Sequence, residues 1–295
     1  VIADNLTFKL SLDEQLSIDS AVYTSAEVVA SAQGSLNLDA PNELMLSLDG
    51  ELKSADIHKV LNSNIPLAME FAGDLNELRF RLLSDLLDLQ VDGSLRDPGG
   101  DFVWDVTGTA LGTQQTLVIA EEQIALAGVS LESVGRMDDW SLNLSSDIGI
   151  AGQPQLALVL STKGSDAGIQ INRSSLRGSE VDVGLNGQLG WTPQAFADIH
   201  VVIDQLSPSR WIAEWPEATP LTGELEFTWS KDGLKIPRSK LTLSGTNTEV
   251  VIAADIDLER NRVYADLGWS DLRWPLQSES QDFTSSSGQM QVSGS

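Results

Sequence analysis

Along most of the chain, apolar and polar residues alternate one for one. Leu6, Phe8, Leu10 and Leu12 are separated by Thr7, Lys9 and Ser11, and Leu44, Leu46 and Leu48 alternate with Met45, Ser47 and Asp49. Side chains at i, i+2 and i+4 of a strand share one face, so this beat predicts strands with one dry and one wet side; a helical stripe would repeat every 3.6 residues. The clearest rows are Val181, Val183, Leu185, Leu189 and Trp191 against Asp182, Asn186 and Gln188, and Leu225, Phe227 and Trp229 against Glu224, Glu226 and Thr228. Between Leu78 and Gly93 a helical stripe through Leu82, Leu83, Leu86, Leu87 and Leu89 competes with alternation. The beat of Leu78, Phe80 and Leu82, then of Leu87, Leu89 and Val91, favours two strands meeting near Ser84-Asp85.

A short phrase, an apolar or small residue, any residue, glycine, any residue, leucine, opens or continues many of these runs. It reads AQGSL from Ala32, LDGEL from Leu48, FAGDL from Phe71, VDGSL from Val91, LNGQL from Leu185 and LTGEL from Leu221. Glycine inside a strand weakens it and marks a bulge, a bend or a close backbone approach, so its repetition suits a sheet that curls; the simpler alternative is a turn residue beside each strand. Turn signals at Asp97-Pro98-Gly99-Gly100, Lys163-Gly164-Ser165-Asp166, Lys231-Asp232-Gly233 and Glu259-Arg260-Asn261 join the runs as antiparallel neighbours. The stretch Ser278 to Gly288, rich in Ser and Gln, reads as a loop.

Only Ala55 to Asn62 and Ser207 to Trp215 have a helical texture, the second opening with an N-cap serine and a first-turn proline. Each precedes a glycine phrase by a similar interval. The chain therefore reads as one continuous repetitive segment cut from a longer protein, with larger units over about 55–205 and 206–295, each helix plugging an end or edge of a sheet.

The expected fold class is all-β: a long antiparallel repeat sheet rolled into an elongated open groove, with two short helices. A sheet with one apolar face covers it with helices, with a second sheet or with itself, and two short helices cannot cover so many strands. Roughly 18 to 22 strands at a spacing of about 4.8 Å would extend roughly 90 to 100 Å, which demands curling or splitting.

Acidic residues number 43 against 18 basic ones, a net charge of -25, which excludes nucleic acid as a partner and is equally what a well-solvated surface carries. There is no cysteine, so no disulfide framework and no thiolate site. The longest uncharged runs, Val106 to Ala120 and Ile148 to Thr162, are too short and too polar for a membrane-spanning helix.

Catalytic signatures are missing: no nucleophile elbow, zinc-binding helix motif, phosphate loop or dinucleotide fingerprint occurs. His58 and His200 lack partner patterns and read as structural or exposed. Asp92, Asp97 and Asp101 surround a Pro-Gly-Gly turn, where turn-forming aspartate explains them better than a calcium loop. The eight tryptophans are scattered over separate elements, which suits core or groove lining better than a sugar-stacking loop. No enzyme, cofactor or metal site is expected.

The ordered set LSPSRWIAEWP from Leu206, LTGELEFTW from Leu221, DLGWSDLRWPL from Asp266 and GQMQVSG from Gly288 resembles the periplasmic repeat region of the TamB family, within the AsmA-like group. The wording is specific only in about the last third of the chain; elsewhere the likeness is one of texture. What the resemblance implies is an apolar trough in the periplasm, anchored to the inner membrane by a segment outside this chain, that passes phospholipid toward the outer membrane. It also implies an outer-membrane β-barrel assembly partner reached through regions outside this chain. Candidate groove-lining residues are then Val181, Val183, Leu185, Leu189, Trp191, Leu225, Phe227 and Trp229, with phospholipid acyl chains as ligand. The alternatives are a scaffold that pairs its strands with those of outer-membrane β-barrel or autotransporter clients, and a pair of filled β-sandwiches.

Overall fold

The computed structural model describes residues 5–294 apart from 14, 40–41, 54–63, 75, 98–99, 113–114, 120–121, 151–154, 211–214, 216–218 and 275–282. The fold is all-β, with 20 antiparallel strands among the described residues, and that number falls inside the range that the alternation predicts. The chain forms two compact units, Val1–Gly152 and Gln153–Ser295.

The first unit contains β1 (Asn5–Leu12), β2 (Gln15–Thr24), β3 (Val28–Asn37), β4 (Leu44–Leu52), β5 (Ile65–Gly73), β6 (Glu77–Ser84), β7 (Leu89–Arg96), β8 (Val103–Ala110), β9 (Gln115–Ile119), β10 (Glu122–Arg136) and β11 (Asp139–Ile150). From β1 to β8 each strand pairs with the next. The long strand β10 then takes β8 along one half and the short β9 along the other, with β11 on its far side. The second unit contains β12 (Leu156–Ser165), β13 (Gly168–Arg177), β14 (Val181–Gly190), β15 (Phe196–Leu206), β16 (Leu221–Ser230), β17 (Gly233–Leu243), β18 (Glu249–Asp257), β19 (Arg262–Trp274) and β20 (Phe283–Gly294). It is a meander of antiparallel neighbours from β12 to β20.

Four local expectations are corrected. The stretch ending at Gly288 is not loop over its described part: Phe283–Ser287 opens β20, because backbone pairing to β19 sustains a strand whose polar residues give no alternation. The turn expected at Lys163 to Asp166 lies at Asp166-Ala167, a two-residue hairpin that keeps Lys163 and Gly164 in register with Gln170 and Ile169. Leu87 belongs to the turn between β6 and β7 rather than to a strand. Of the two short helices, the described part of the second is a single 3-10 turn, Pro208–Arg210, while Ala55 to Asn62 lies outside the described residues.

Among the described residues of each unit, strands pack on their register neighbours and no second layer of strands covers them. Among the described residues only Ile65, Leu111, Leu156, Val181, Ile199, Ile203 and Leu243 are buried hydrophobics. Most apolar side chains of the dry face are half-buried, and Ile199 reaches 5 % exposure in mid-strand. With no second layer of strands above it among the described residues, such burial comes from side chains of adjacent strands converging, as on the concave side of a curled sheet. Bulges supply the bending: a register irregularity interrupts every pairing from β12–β13 to β17–β18.

Candidate functional site

Cross-strand partners in an antiparallel sheet point to the same side, so the register sorts the residues into faces. In the second unit Leu185 pairs with Val201, and Val201 with Leu225. Ile203 joins Val183 to Gly223, Leu206 joins Val181 to Leu221, and Ala197 joins Leu189 to Trp229. Seven of the eight sequence-derived candidates, Val181, Val183, Leu185, Leu189, Leu225, Phe227 and Trp229, thus share one face, with β15 between their two strands. The eighth, Trp191, lies past the end of β14, where the chain leaves the strand; its indole N–H donates to the Asp166 carbonyl at 2.6 Å and holds the ring at the rim.

The same face continues along the meander through Leu241, Val250, Ile252, Leu267 and Met290. These neighbours were not singled out from the sequence, although alternation in β18 and β19 carries the signal. Within the first unit the register gathers Leu46, Leu48, Met69, Phe71, Phe80, Leu82 and Val91 in the same way. Phe71 and Phe80 meet across strands with ring centroids 6.1 Å apart. Polar groups that intrude on this side are satisfied locally: the Trp104 indole N–H donates to Ser133 Oγ at 3.0 Å.

All six phrase glycines fall on the apolar face, opposite residues such as Leu46, Leu67, Leu78 and Phe80. They are strand or strand-end positions, not turn residues. At Gly187 (φ 153°) and Gly223 (φ 149°) the backbone takes a conformation open to glycine, and a Cβ would strike the carbonyl oxygens of Asp198 and Lys240 respectively. Gly93 makes room differently: the Phe80 ring of the neighbouring strand lies where its side chain would be. Each device removes volume from the inner side of a bend.

The opposite face is charged and paired. Arg81 Nε donates to Asp92 at 2.7 Å, Arg177 Nε to Asp182 at 3.1 Å, and Lys240 Nζ lies 2.6 Å from Glu249. The hydrogen bonds from Gln90 and Arg81 hold the Asp92 carboxyl below the ordinary carboxylate range. The backbone N–H groups of Glu77 and Asn76 do the same for Asp74, and Arg136 does so for Asp138. His200 is on this polar side between Asn186 and Glu226, 3.5 Å from Glu224; His58 lies outside the described residues. Asp97 accepts from the Asp101 backbone N–H and so caps its own turn. Among the described residues no three His, Asp or Glu side chains converge as a metal site would need. The clefts of 450 to 610 Å³ open chiefly on this polar side, as hollows over small residues such as Ala253 and Gly268. None brings a nucleophile and a base together.

Residues 1–262 match the family model described as TamB, N-terminal domain, which is 262 of 295 positions. The chain belongs to the TamB family. No curated protein and no solved structure matches it. Membership ties this TamB-family chain to outer-membrane biogenesis. The match takes in the phrases from Leu206 and Leu221 and the region where only texture suggested the family, and it ends before the phrases from Asp266 and Gly288. No helix among the described residues is long and apolar enough to cross a membrane, a statement that does not bear on strands.

Proposed function

We propose that the apolar face is a conduit for phospholipid acyl chains, carrying lipid through the periplasm between the inner and outer membranes. The observation that carries this reading is an apolar face extended by register from strand to strand, half-buried, with no second layer of strands over it among the described residues. No catalytic step is involved. Each buried CH₂ contributes about 0.8 kcal/mol at any point of a uniform apolar surface, so a chain slides along it without meeting a deep trap. The wet face, with its paired charges, keeps the trough soluble on the outside. Anchoring at the inner membrane and docking on an outer-membrane β-barrel assembly partner belong, on this reading, to parts of the protein outside this chain.

Scaffolding of β-barrel or autotransporter clients by strand pairing is the competing reading, and the two separate by where ligands touch. A photo-crosslinking residue at Leu185 or Leu225 is expected to give phospholipid adducts in cells, and one at Asn186 or Glu226 is not. Peptide adducts at the sheet edges, with no lipid adduct from Leu185 or Leu225, would overturn the conduit.

A further inference from the structure

The wet face of residues 153–295 is not a uniform field of charge. Beside the turns Trp191 to Ala195, Lys231-Asp232 and Leu258 to Asn261, the register sets two rows of it next to each other. One row runs Gly190, Phe196, Ser230, Gly233, Asp257, Arg262, and the next runs Gln188, Asp198, Thr228, Lys235, Asp255, Tyr264. Ser230, Gly233 and Thr228 are small, so the middle of both rows is a hollow that crosses the strands. Two clefts of about 600 Å³ each fill it, one from Phe196 to Arg260 and the other from Arg260 to Tyr264 and Ser293, with Asp255, Asp257 and Arg260 common to both. They form one groove. From β15 to β19 it spans four strand spacings, about 19 Å.

An aromatic ring stands open to water at each end, Phe196 at 39 % exposure and Tyr264 at 43 %. Three carbons of the Phe196 ring occupy the place that a Cβ of Gly190 would take, so the ring is seated on the backbone of the neighbouring strand. The Gln291 amide donates to the Tyr264 hydroxyl at 3.4 Å. Between the rings, Lys235, Arg260 and Arg262 stand among Asp198, Asp255 and Asp257, an even balance in a chain with 43 acids against 18 bases. The ion pairs here are long, Lys235–Asp255 at 3.8 Å and Arg260–Asp257 at 3.6 Å, whereas Lys240–Glu249 on the same face closes to 2.6 Å. Exposed pairs of that length hold each other weakly and keep donors and acceptors for a ligand.

These features select among ligands. The backbone groups beneath the groove are spent on the ladders from β15 to β19, so a peptide finds no free edge there to join as a strand. A polyanion or a polycation meets no net field of the opposite sign. An acyl chain on the apolar face is on the other side of the sheet. A neutral glycan fits: the C–H faces of its sugar rings stack on aromatic rings, and its hydroxyl and amide groups take donors and acceptors alike. We propose that this groove binds the glycan strand of the cell wall, one sugar ring stacked on Phe196, another on Tyr264, with the carboxylates and cations between them hydrogen-bonding the intervening sugars. The inference goes beyond the conduit and uses the opposite face. It takes from that reading only the periplasmic placement, where the wall is the glycan that a protein between two membranes meets. The chain then has a second task, holding to the wall while its apolar face stays free.

Cosedimentation of the purified chain with isolated cell-wall sacculi, competed by soluble chitohexaose, tests the proposal. The native chain should pellet with sacculi, and should still pellet after an amidase has stripped the wall peptides from the glycan. Phe196→Ala and Tyr264→Ala should each weaken binding about fivefold and, because the two rings are far apart, the double variant should weaken it about twenty-fivefold. Circular dichroism and a urea midpoint identify the folded variants; Tyr264→Ala, which uncovers no glycine, decides alone if Phe196→Ala unfolds. Phospholipid retained by Tyr264→Ala should equal that of the native chain, so the groove and the conduit fail separately. No binding to sacculi, or a folded Tyr264→Ala chain that binds like the native one, would overturn the proposal. Binding that disappears with the wall peptides would make the partner a peptide and overturn the glycan assignment. Binding to chitohexaose without binding to sacculi would overturn the wall as its source.

Discussion

Placing a carboxylate at Leu185 perturbs the apolar face at its most continuous point. Val201 is the register partner of both Leu185 and Leu225, and all three are half-buried, so Leu185→Asp puts a charge into a three-strand apolar row without emptying a closed core. A carboxylate that keeps its water denies contact over its own strand, a width of about 4.8 Å. An acyl chain crossing it loses contact for about four methylenes. At about 0.8 kcal/mol each that is about 3 kcal/mol, or a local occupancy lower by more than about a hundredfold. Transfer of a fluorescent phospholipid between donor and acceptor vesicles should therefore fall steeply for Leu185→Asp and for Leu225→Asp. Leu185→Ala, which removes volume but no apolar character, should change the rate by less than about threefold, and Asn186→Asp on the wet face should leave it unchanged. Circular dichroism and a urea midpoint report whether each variant folds. A folded Leu185→Asp chain that transfers lipid at the native rate would refute the reasoning.

Gly223→Val should destabilise the second unit by about 2–4 kcal/mol, because the added Cβ meets the Lys240 carbonyl and the backbone there suits glycine; a lowered urea midpoint reads it. Phe80→Ala uncovers Gly93 and removes the ring contact with Phe71, at a cost of about 2–4 kcal/mol in the same assay. The pH dependence has a fixed sign. Asp19, Asp74, Asp92 and Asp138 are held below their ordinary value of 3.8 when folded, so the stability they contribute is complete above that value and is lost as pH falls through their lower folded values. Thermal midpoints at low salt should therefore hold down to about pH 4 and fall below it, with a smaller fall for Asp92→Asn.

Alternation made the strands and their dry faces legible because a curled single sheet imposes the same two-residue period on almost every strand. Seven groove candidates could be grouped from parity alone; the register through β15 then joins two rows that the sequence leaves about 40 residues apart. Parity misplaced Trp191 because it continues past the point where the chain turns out of β14. Phe283 to Ser287 was unreadable for the opposite reason: its strand is held by backbone pairing to β19, and FTSSS carries no apolar beat. Bulges and the interrupted run of β8 and β9 along β10 leave no mark in composition, since either depends on which neighbour a backbone group finds. The change of burial along a strand was equally hidden. Leu189 and Val181 look alike in the sequence, and only the position of each along its strand makes one exposed and the other buried.

The central claim is that the dry face of this sheet is left open for a hydrocarbon ligand rather than filled by the protein. Lipid extraction and mass spectrometry of the chain purified without detergent, from cells rich in phospholipid, test it most directly. The account predicts phospholipid retained on the native chain and depleted on the folded Leu185→Asp, Leu225→Asp double variant. A native chain free of lipid, or equal lipid on both proteins, would contradict it.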